Sequence, residues 1–431
     1  MSGCIALEAE RFERNFVGGN WIFSELGYQF DIYDPSNSEV IAAVPLSSRF
    51  DVARTVAVAR SALAGWSARP KSERLEFIFR ALELFERSID EIAETEARDT
   101  GTPVIYLRRD IAQTLSNIRA RFDCDEVGGA PGSGESAGVV GVILSWSGPF
   151  DLCCRELLPA LVAGHTIVAK PSLRAPLSCV LFAEILGRAM LPPGVLNLVQ
   201  GTGIDVGAAL AGQSGLSEVW FQGGRATAKS IQRAASTIAA RVRLCLRRPN
   251  LTLVDSGADL HAAVDAIVQD TLVNAGRAGY GGTVVHAHQD IFEPLKDHLG
   301  IVLNGVRYGP PKDPATSLGP MISEDARSAR RQSISSLEAA KATCIYRGTD
   351  PDARTARMGW FAAPQILLTS EFDHLANAEL PLGPTIVMRV VPEVALDIIG
   401  DDQENGWNTK RFFHRLKKSR RPIDQRLFLT A

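Results

Sequence analysis

The chain has 431 residues, of which 45% are hydrophobic and 22% charged, and a formal net charge of −3. These values are typical of a soluble globular protein with more than one domain, and they give no global basic signal for nucleic acid binding. No stretch approaches an apolar membrane span, and residues 1–10 lack the pattern of a signal peptide. Seven cysteines without a framework spacing favour reduced thiols in the cytoplasm. We expect neither nucleic acid nor membrane as a partner.

The first clear pattern along the chain is an apolar stripe with helical spacing. Its members recur at intervals of three and four residues: Leu75, Ile78, Leu82, Phe85, Ile89 and Ile92. The spacing predicts a helix with one buried face that ends toward Gly101 and Pro103.

Short apolar runs alternate with helical patterns from residue 139 onward. Val139 to Trp146 is a continuous apolar run, which predicts a strand buried on both faces of a parallel sheet. The other predicted strands are Ile167 to Ala169, Val195 to Val199, Val219 to Phe221 and Val242 to Leu246. The helical patterns are Pro176 to Met190, Ile204 to Ala211 and Ala226 to Ala240. This alternation is typical of a doubly wound α/β sheet.

A series of short motifs has the order and spacing found in one enzyme superfamily. The most informative motif is the decapeptide from Asn274 to Thr283. The others are Tyr33 to Asn37, Ser145 to Pro149, Val168 to Ser172, Leu191 to Asn197, Gly201 to Gly207, Ser317 to Pro320, Gly359 to Phe361 and Leu382 to Pro384. Each motif alone is weak. Together, from about Asn15 to about Ile399, the chain resembles the NAD(P)-dependent aldehyde dehydrogenase superfamily.

The resemblance implies an α/β fold with a Rossmann-type cofactor domain and a second α/β catalytic-type domain. We assign residues 1–245 to the NAD(P)-binding-type domain, 246–400 to a shortened catalytic-type domain and 401–431 to a divergent basic C-terminal tail. Phe122 to Gly138 is too short for the two-stranded excursion of family members, so we expect the usual family dimer to be lost or remodelled. The tail is either drifted sequence or an amphipathic helix or arm for an acidic partner.

The catalytic positions that the resemblance marks carry unusual residues. Gly279 stands at the position of the nucleophilic cysteine, and a glycine cannot form a thiohemiacetal. Cys245 stands at the position of the general-base glutamate, and Ser147 at that of the oxyanion-hole asparagine. None of the three is assigned a catalytic role, and we expect catalysis to be impaired or absent.

The cofactor positions are partly kept. A lysine at the end of a strand and glycines at strand-to-helix turns suit a dinucleotide. The resemblance assigns cofactor binding to Lys170, Ser172, Gly203, Gly207, Gly223 and Gly224. The family's two ribose-binding glutamates correspond to Leu173 and Leu380, although Glu379 is adjacent to the second. Each lost hydrogen bond costs on the order of 1 kcal/mol, so we expect weak or absent binding of NAD or NADP.

Three functions stay open at this point. The chain is a catalytically silent family member, an NAD(P)-dependent aldehyde oxidoreductase with a relocated thiol such as Cys245, or a nucleotide-binding or regulatory module without turnover. Its ligand is then a small-molecule aldehyde or a nucleotide. A buried core position is the favoured interpretation of Cys245 and of the pair Cys153-Cys154. His286 and His288 could bridge a metal at a strand edge, but this is the less favoured interpretation of the two histidines. No metal site is expected.

Overall fold

The computed structural model describes residues 11–124, 137–246, 250–276, 282–370, 380–392 and 408–412. Four short strands and four long helices form its first part. The strands are β1 (Asn15–Val17), β2 (Asn20–Ile22), β3 (Gln29–Tyr33) and β4 (Val40–Pro45). The helices are α1 (Arg49–Ser67), α2 (Lys71–Arg87), α3 (Ile89–Thr100) and α4 (Val104–Asp123). No helix in the described part of the chain is long and apolar enough to cross a bilayer.

The predicted apolar stripe belongs to two helices rather than one. The chain leaves helical geometry at Ser88, whose φ and ψ are −107° and 13°. Its N–H donates to Phe85 O at 3.0 Å, which tightens the last turn of α2, and α3 then starts at Ile89. The stripe is otherwise confirmed, because Ile78, Leu82 and Ile92 are fully buried.

The first large sheet has seven strands in the order β2-β1-β7-β6-β5-β8-β9. Its later strands are β5 (Val139–Ile143), β6 (Thr166–Lys170), β7 (Leu196–Leu198), β8 (Glu218–Gly223) and β9 (Arg241–Leu246). These five are mutually parallel, and every residue of β5 is buried. The predicted strands are confirmed, although β5 ends before Ser145 and Trp146, which belong to the loop that follows.

Helices cover both faces of the first sheet. They are α5 (Pro149–Leu152), a π-helix (Cys153–Leu157), α6 (Leu158–Val162), α7 (Leu177–Arg188), a second π-helix (Gly203–Gly207), α8 (Ala208–Ala211) and α9 (Arg225–Ser236). The chain runs outward from β5 through β6 to β7, and then returns to the other side of β5 to form β8 and β9. A doubly wound sheet of this kind binds ligands beyond the carboxyl ends of its strands, where the winding direction reverses.

The second sheet has six strands in the order β12-β13-β14-β11-β10-β15, all parallel except β12. Its strands are β10 (Asn250–Val254), β11 (Thr283–His288), β12 (Thr343–Arg347), β13 (Gln365–Leu368), β14 (Thr385–Val391) and β15 (Asn408–Phe412). Its helices are α10 (Leu260–Leu272), α11 (Gln289–Asn304), α12 (Glu324–Ala339) and α13 (Ala353–Met358). The chain passes from the first sheet to the second between Leu246 and Asn250, beside the predicted boundary at residue 245.

Part of the predicted tail is a strand of this sheet. β15 lies parallel to β10, with Asn408 opposite Asn250 and Phe412 opposite Val254. The interpretation of the tail as a helix is therefore wrong for residues 408–412, since ladder hydrogen bonds to β10 hold this backbone in an extended conformation. Residues 413–431, and residues 125–136 of the glycine-rich segment, lie outside the described residues.

Two glycines allow the first part of the chain to approach the loop before α12. An ideal Cβ on Gly319 would lie 1.8 Å from Gly101 O, and a Cβ on Gly101 would lie 2.9 Å from Pro320 O. Gly101 also has a φ of +82°, in the left-handed region that favours glycine. The motif from Ser317 to Pro320 therefore has a packing reason that is independent of ligands.

Candidate active site

The carboxyl ends of five parallel strands meet at one edge of the first sheet. Lys170 is the last residue of β6 and is in register with Ile143 of β5. Gly201 follows β7, and Gly223 ends β8. Cys245 lies near the end of β9, in register with Gln222 of β8. The topology therefore brings the predicted lysine, glycines and Cys245 to the same edge.

Lys170 is buried, with only 4% of its surface exposed. Its ammonium donates to Pro171 O at 2.5 Å and to Gly201 O at 2.9 Å. No carboxylate among the described residues forms an ion pair with it. Removal from water without a counter-charge lowers its pKa from 10.5 to about 8. A charged amine of this kind, held at the end of a parallel strand, is suited to donate to a polar ligand.

Two of the four predicted glycines leave backbone open to a ligand. An ideal Cβ on Gly203 or Gly224 would meet no atom within 4 Å, whereas Gly207 is buried and a Cβ there would contact Lys170 Cε at 3.7 Å. Gly223 differs, because a Cβ there would lie 2.5 Å from the ring of Phe221. Gly223 is therefore explained by packing.

The glycine turn opens a continuous helical segment, the π-helix followed by α8. Thr202 caps it, since its Oγ1 accepts from Asp205 N–H at 2.9 Å and donates to the Asp205 carboxylate at 2.7 Å. A cavity of about 530 Å³ borders the turn. Its walls include Thr202, Ile204 and Asp205 from the turn, and Tyr28 from the loop before β3. Ile204 has 86% of its surface exposed, so the turn is accessible from solvent.

The segment after Lys170 offers little to a ribose. Ser172 Oγ accepts from Arg174 N–H at 3.2 Å, so this hydroxyl stabilises the local turn. Leu173 packs against the apolar cluster of Ile32, Val44 and Leu177. An apolar side chain at this position replaces the carboxylate that the resemblance implies, and no other described residue of this segment supplies one.

Ser147 and Cys245 occupy very different environments. Ser147 is buried, at 7% exposure, in the loop between β5 and α5. Cys245 is exposed, and Gln222 Nε2 lies 4.0 Å from its Sγ. The interpretation of Cys245 as a core residue is therefore wrong, because β9 is an edge strand of the sheet and leaves this side chain uncovered. Gly279 lies outside the described residues.

Three thiols on the helical segments that follow β5 and β6 are packing residues. Cys153, Cys154 and Cys179 are completely buried, as predicted for the first two. Cys153 Sγ lies 3.6 Å from Cys179 Sγ. Burial raises the pKa of the Cys153 and Cys154 thiols, which disfavours the thiolate that attacks carbonyl groups.

The Leu382-Gly383-Pro384 turn is held by a buried arginine. Arg330 donates to Thr385 Oγ1 at 2.8 Å and to Pro384 O at 3.3 Å. Gly383 has a φ of +130°, and an ideal Cβ there would lie 2.6 Å from Arg330 Cδ. Leu380, at the ribose-binding position, is buried in the apolar core of the second sheet. Glu379 lies outside the described residues.

His286 does not lie at a sheet edge, so that part of the metal hypothesis is wrong. It is on β11, which is flanked by β14 and β10. Burial and the charge of Arg389 lower its pKa to about 4. His288 caps α11 by accepting from Asp290 N–H at 3.1 Å. Within the described ranges, no cluster of three potential metal ligands occurs.

Sequence reasoning missed two buried acids beneath this edge. Glu96 accepts from Phe150 N–H at 3.0 Å, and Asp99 accepts from Leu177 N–H at 2.7 Å. They therefore cap α5 and α7, the helices that follow β5 and β6. Burial raises the pKa of Glu96 to about 7 and that of Asp99 well above its usual value. The signal in the sequence is that both acids continue the buried face of Ile92 at helical spacing.

Comparison with known proteins decides the family. The aldehyde dehydrogenase family model matches residues 21–395, which is most of the chain. The chain belongs to the aldehyde dehydrogenase family. The expected fold, a Rossmann-type cofactor domain with a second α/β domain, is thereby confirmed.

Solved structures of this family resemble the chain over most of its length. An aldehyde dehydrogenase from Bartonella henselae is 26% identical, with 92% of this chain and 84% of that one covered and a TM-score of 0.81. Lactaldehyde dehydrogenase from Escherichia coli is 25% identical, with 88% and 81% covered and a TM-score of 0.80. PnpE from Pseudomonas sp. WBC-3 is 26% identical, with 91% and 81% covered and a TM-score of 0.82.

Proposed function

We propose that this aldehyde dehydrogenase family member binds the adenosine diphosphate portion of a nicotinamide dinucleotide and does not oxidise aldehydes through a thioester. The observation that supports it is the pairing of Lys170 with open glycine backbone. Lys170 lies at the end of β6, and Gly203 and Gly224 have open space where side chains would be. A relative, PnpE, has been solved in complex with nicotinamide adenine dinucleotide, at 26% identity.

The lysine and the glycine turn suit the adenosine diphosphate half of the cofactor, although Leu173 offers no acceptor to the adenosine ribose. Lys170 would hold a ribose hydroxyl, and the turn that opens at Gly203 would receive the pyrophosphate on backbone N–H groups. Bound dinucleotide supplies a hydride acceptor. Because the Lys170 ammonium already bonds to Pro171 O and Gly201 O, a ribose hydroxyl gains only its remaining proton. Binding is therefore expected to be weak.

The nicotinamide half does not fit. Leu380, at the position of the glutamate that holds the nicotinamide ribose, offers no acceptor to its hydroxyls and is packed into the core of the second sheet. The sequence from Asn274 to Thr283 contains no cysteine. A nucleophile must carry the acyl group before it is hydrolysed, and a glycine has no atom to do so.

Lys170→Met is expected to weaken binding of ADP and NAD by about 10- to 100-fold, because a charged hydrogen bond contributes about 1.5–3 kcal/mol. Isothermal titration calorimetry with ADP, NAD and NADP measures this. Lys229→Met removes an exposed lysine of α9 and is the matched control, for which we expect unchanged affinity. Equal affinities of the Lys170→Met variant and the parent protein would contradict the proposed site.

One observation favours a second function, aldehyde oxidation by a relocated thiol. Cys245 is exposed at the sheet edge that carries Lys170 and Gly224. Against this function, the side-chain contact found for its Sγ is with Gln222 Nε2 at 4.0 Å, and an amide cannot act as a base. We expect no difference in NADH formation between the parent protein and Cys245→Ser when both receive NAD and an aldehyde. Turnover that disappears in Cys245→Ser would establish the second function.

We also propose that the usual family dimer is lost or remodelled. The support is the brevity of Phe122 to Gly138 in the sequence. Size-exclusion chromatography with light scattering tests it, and we expect a monomer near 46.5 kDa. A stable dimer or tetramer would contradict this proposal.

A further inference from the structure

Side chains of β8 and β9 form three cross-strand pairs on one face of the first sheet. They are Glu218 with Arg241, Trp220 with Arg243, and Gln222 with Cys245. The first is an ion pair, with 2.6 Å between Arg241 Nη2 and Glu218 Oε1. In the second, Arg243 Cζ lies 4.8 Å from the centroid of the Trp220 ring. The same register sets Gln222 beside Cys245 at the carboxyl end of the two strands.

The third pair combines a buried, unpaired acceptor with an exposed thiol. Gln222 is 8% exposed, and its Nε2 donates toward Cys245 Sγ across 4.0 Å. Its Oε1 is buried and has no hydrogen-bond partner among the described residues. Buried amide oxygens are nearly always paired in folded proteins, so this one indicates a place for a hydrogen-bond donor. Cys245 is exposed, and a small reactant therefore reaches its Sγ from solvent.

Cys344 is a natural comparison for Cys245. Both thiols are exposed and both lie on edge strands, Cys344 on β12 of the second sheet. Cys344 Sγ donates to Tyr346 O at 3.3 Å, whereas Cys245 Sγ faces an amide N–H. An N–H group stabilises negative charge on sulfur, and a carbonyl oxygen does not. Because the thiolate is the nucleophile, the surroundings of Cys245 favour reaction with an electrophile more than those of Cys344.

The separation between Gln222 and Cys245 suits one additional atom on the sulfur. The 4.0 Å contact is long, but an oxygen bonded to Sγ can lie within the usual N–H···O distance of Nε2. A hydroxyl on the sulfur can instead donate to the unpaired Oε1. A sulfenic acid, Sγ–O–H, therefore matches the amide of Gln222 with either of these bonds.

We propose that Cys245 is a peroxide-reactive cysteine and that Gln222 stabilises its sulfenic acid. The thiol releases a proton, and the thiolate attacks one oxygen of hydrogen peroxide. The S–O bond forms, the O–O bond breaks, and the other oxygen leaves as hydroxide, which takes up the released proton to give water. Sulfur loses two electrons, which the peroxide gains. One equivalent of a small thiol then gives a mixed disulfide and water, and a second restores Cys245.

Trapping with dimedone, a cyclic diketone that forms a thioether with sulfenic acids, tests the inference on the full chain. The reduced protein is treated at pH 7.5 with hydrogen peroxide and dimedone, and peptide mass spectrometry follows the adduct at each cysteine. We expect the initial rate at Cys245 to exceed that at Cys344 by at least about fivefold, because hydrogen bonds to charged groups are the stronger ones. Equal rates at the two exposed thiols would overturn the inference.

A variant isolates the contribution of the amide. Gln222→Met keeps an unbranched side chain but removes the donor and the acceptor. It should bring the rate at Cys245 to within about twofold of that at Cys344, whose own rate should not change, because the stabilising hydrogen bond is gone. Thermal unfolding confirms that the variant is folded. A parental rate at Cys245 in the folded variant would contradict the role of Gln222.

The inference does not rest on the proposed nucleotide site, so the two fail separately. Calorimetric ADP binding without preferential dimedone labelling of Cys245 would overturn the inference alone. Preferential labelling of Cys245 without ADP binding would overturn the proposed function alone.

Discussion

Glu96→Gln is expected to stabilise the protein by about 3 kcal/mol at pH 8 and by less than about 1 kcal/mol at pH 5. Glu96 is completely buried, and burial raises its pKa from 4.5 to about 7. At pH 8 the folded protein must hold an anion in its core, whereas the unfolded chain exposes that anion to water. The amide oxygen of glutamine still accepts from Phe150 N–H, so the cap of α5 is kept.

The sign follows from proton linkage. Between pH 4.5 and pH 7 the folded state binds more protons at Glu96 than the unfolded state does. The free energy of unfolding of the parent protein therefore falls as the pH rises through this window. Replacement by a neutral side chain removes that fall, so the difference between the two proteins grows with pH.

Guanidinium unfolding of both proteins at pH 5, 6.5 and 8 measures the effect. Glu94→Gln is the matched control, since Glu94 is on the same helix but exposed, and it should change the free energy of unfolding by less than about 0.5 kcal/mol at every pH. A Glu96→Gln effect that is independent of pH would show that Glu96 is not a buried, titrating acid.

Lys170→Met is expected to abolish an alkaline gain in stability of about 2 kcal/mol. The pKa of Lys170 falls from 10.5 to about 8 on folding, so between these values the unfolded state binds more protons. The free energy of unfolding of the parent protein therefore rises with pH, by about 2 kcal/mol between pH 7 and pH 9.5 from this residue. Methionine keeps the apolar stem but cannot titrate.

The quantity to measure is the change in the free energy of unfolding from pH 7 to pH 9.5, compared between the parent and each variant. Other titrating groups contribute equally to both proteins and cancel in the comparison. Lys229→Met, which removes an exposed lysine, should leave the change as in the parent. A parental pH profile in Lys170→Met would mean that Lys170 is solvated in the folded protein.

Much of the fold was predictable because periodicity reports burial directly. The continuous apolar run that begins at Val139 identifies a strand covered on both faces, and all five residues of β5 are buried. The division of the apolar stripe at Ser88 was not predictable, since Ile89 and Ile92 continue the same spacing on the next helix. Strand β15 was missed because its basic residues have no strand pattern, and only its pairing with β10 defines it.

The candidate site was less predictable than the fold, because motifs name positions but not surroundings. Lys170 and Gly203 lie where their motifs imply, yet the two carbonyl partners of Lys170 depend on the path of the chain at Gly201. The exposure of Cys245 follows from the edge position of β9, which strand order alone determines. The burial of Leu380 in the core of the second sheet was also not predicted, since the motif identified only the loss of a ribose-binding glutamate at this position.

The most direct test is whether NADH appears when nucleotide is bound. Protein at a concentration above its calorimetric dissociation constant for NAD is mixed with NAD and a series of short aldehydes, and NADH is followed by fluorescence over many hours. Saturable heat of nucleotide binding, with NADH remaining below one equivalent per chain, is the result we predict. NADH formation that exceeds one equivalent and scales with protein concentration would contradict the central claim, because it would require a working nucleophile that the chain from Asn274 to Thr283 does not contain.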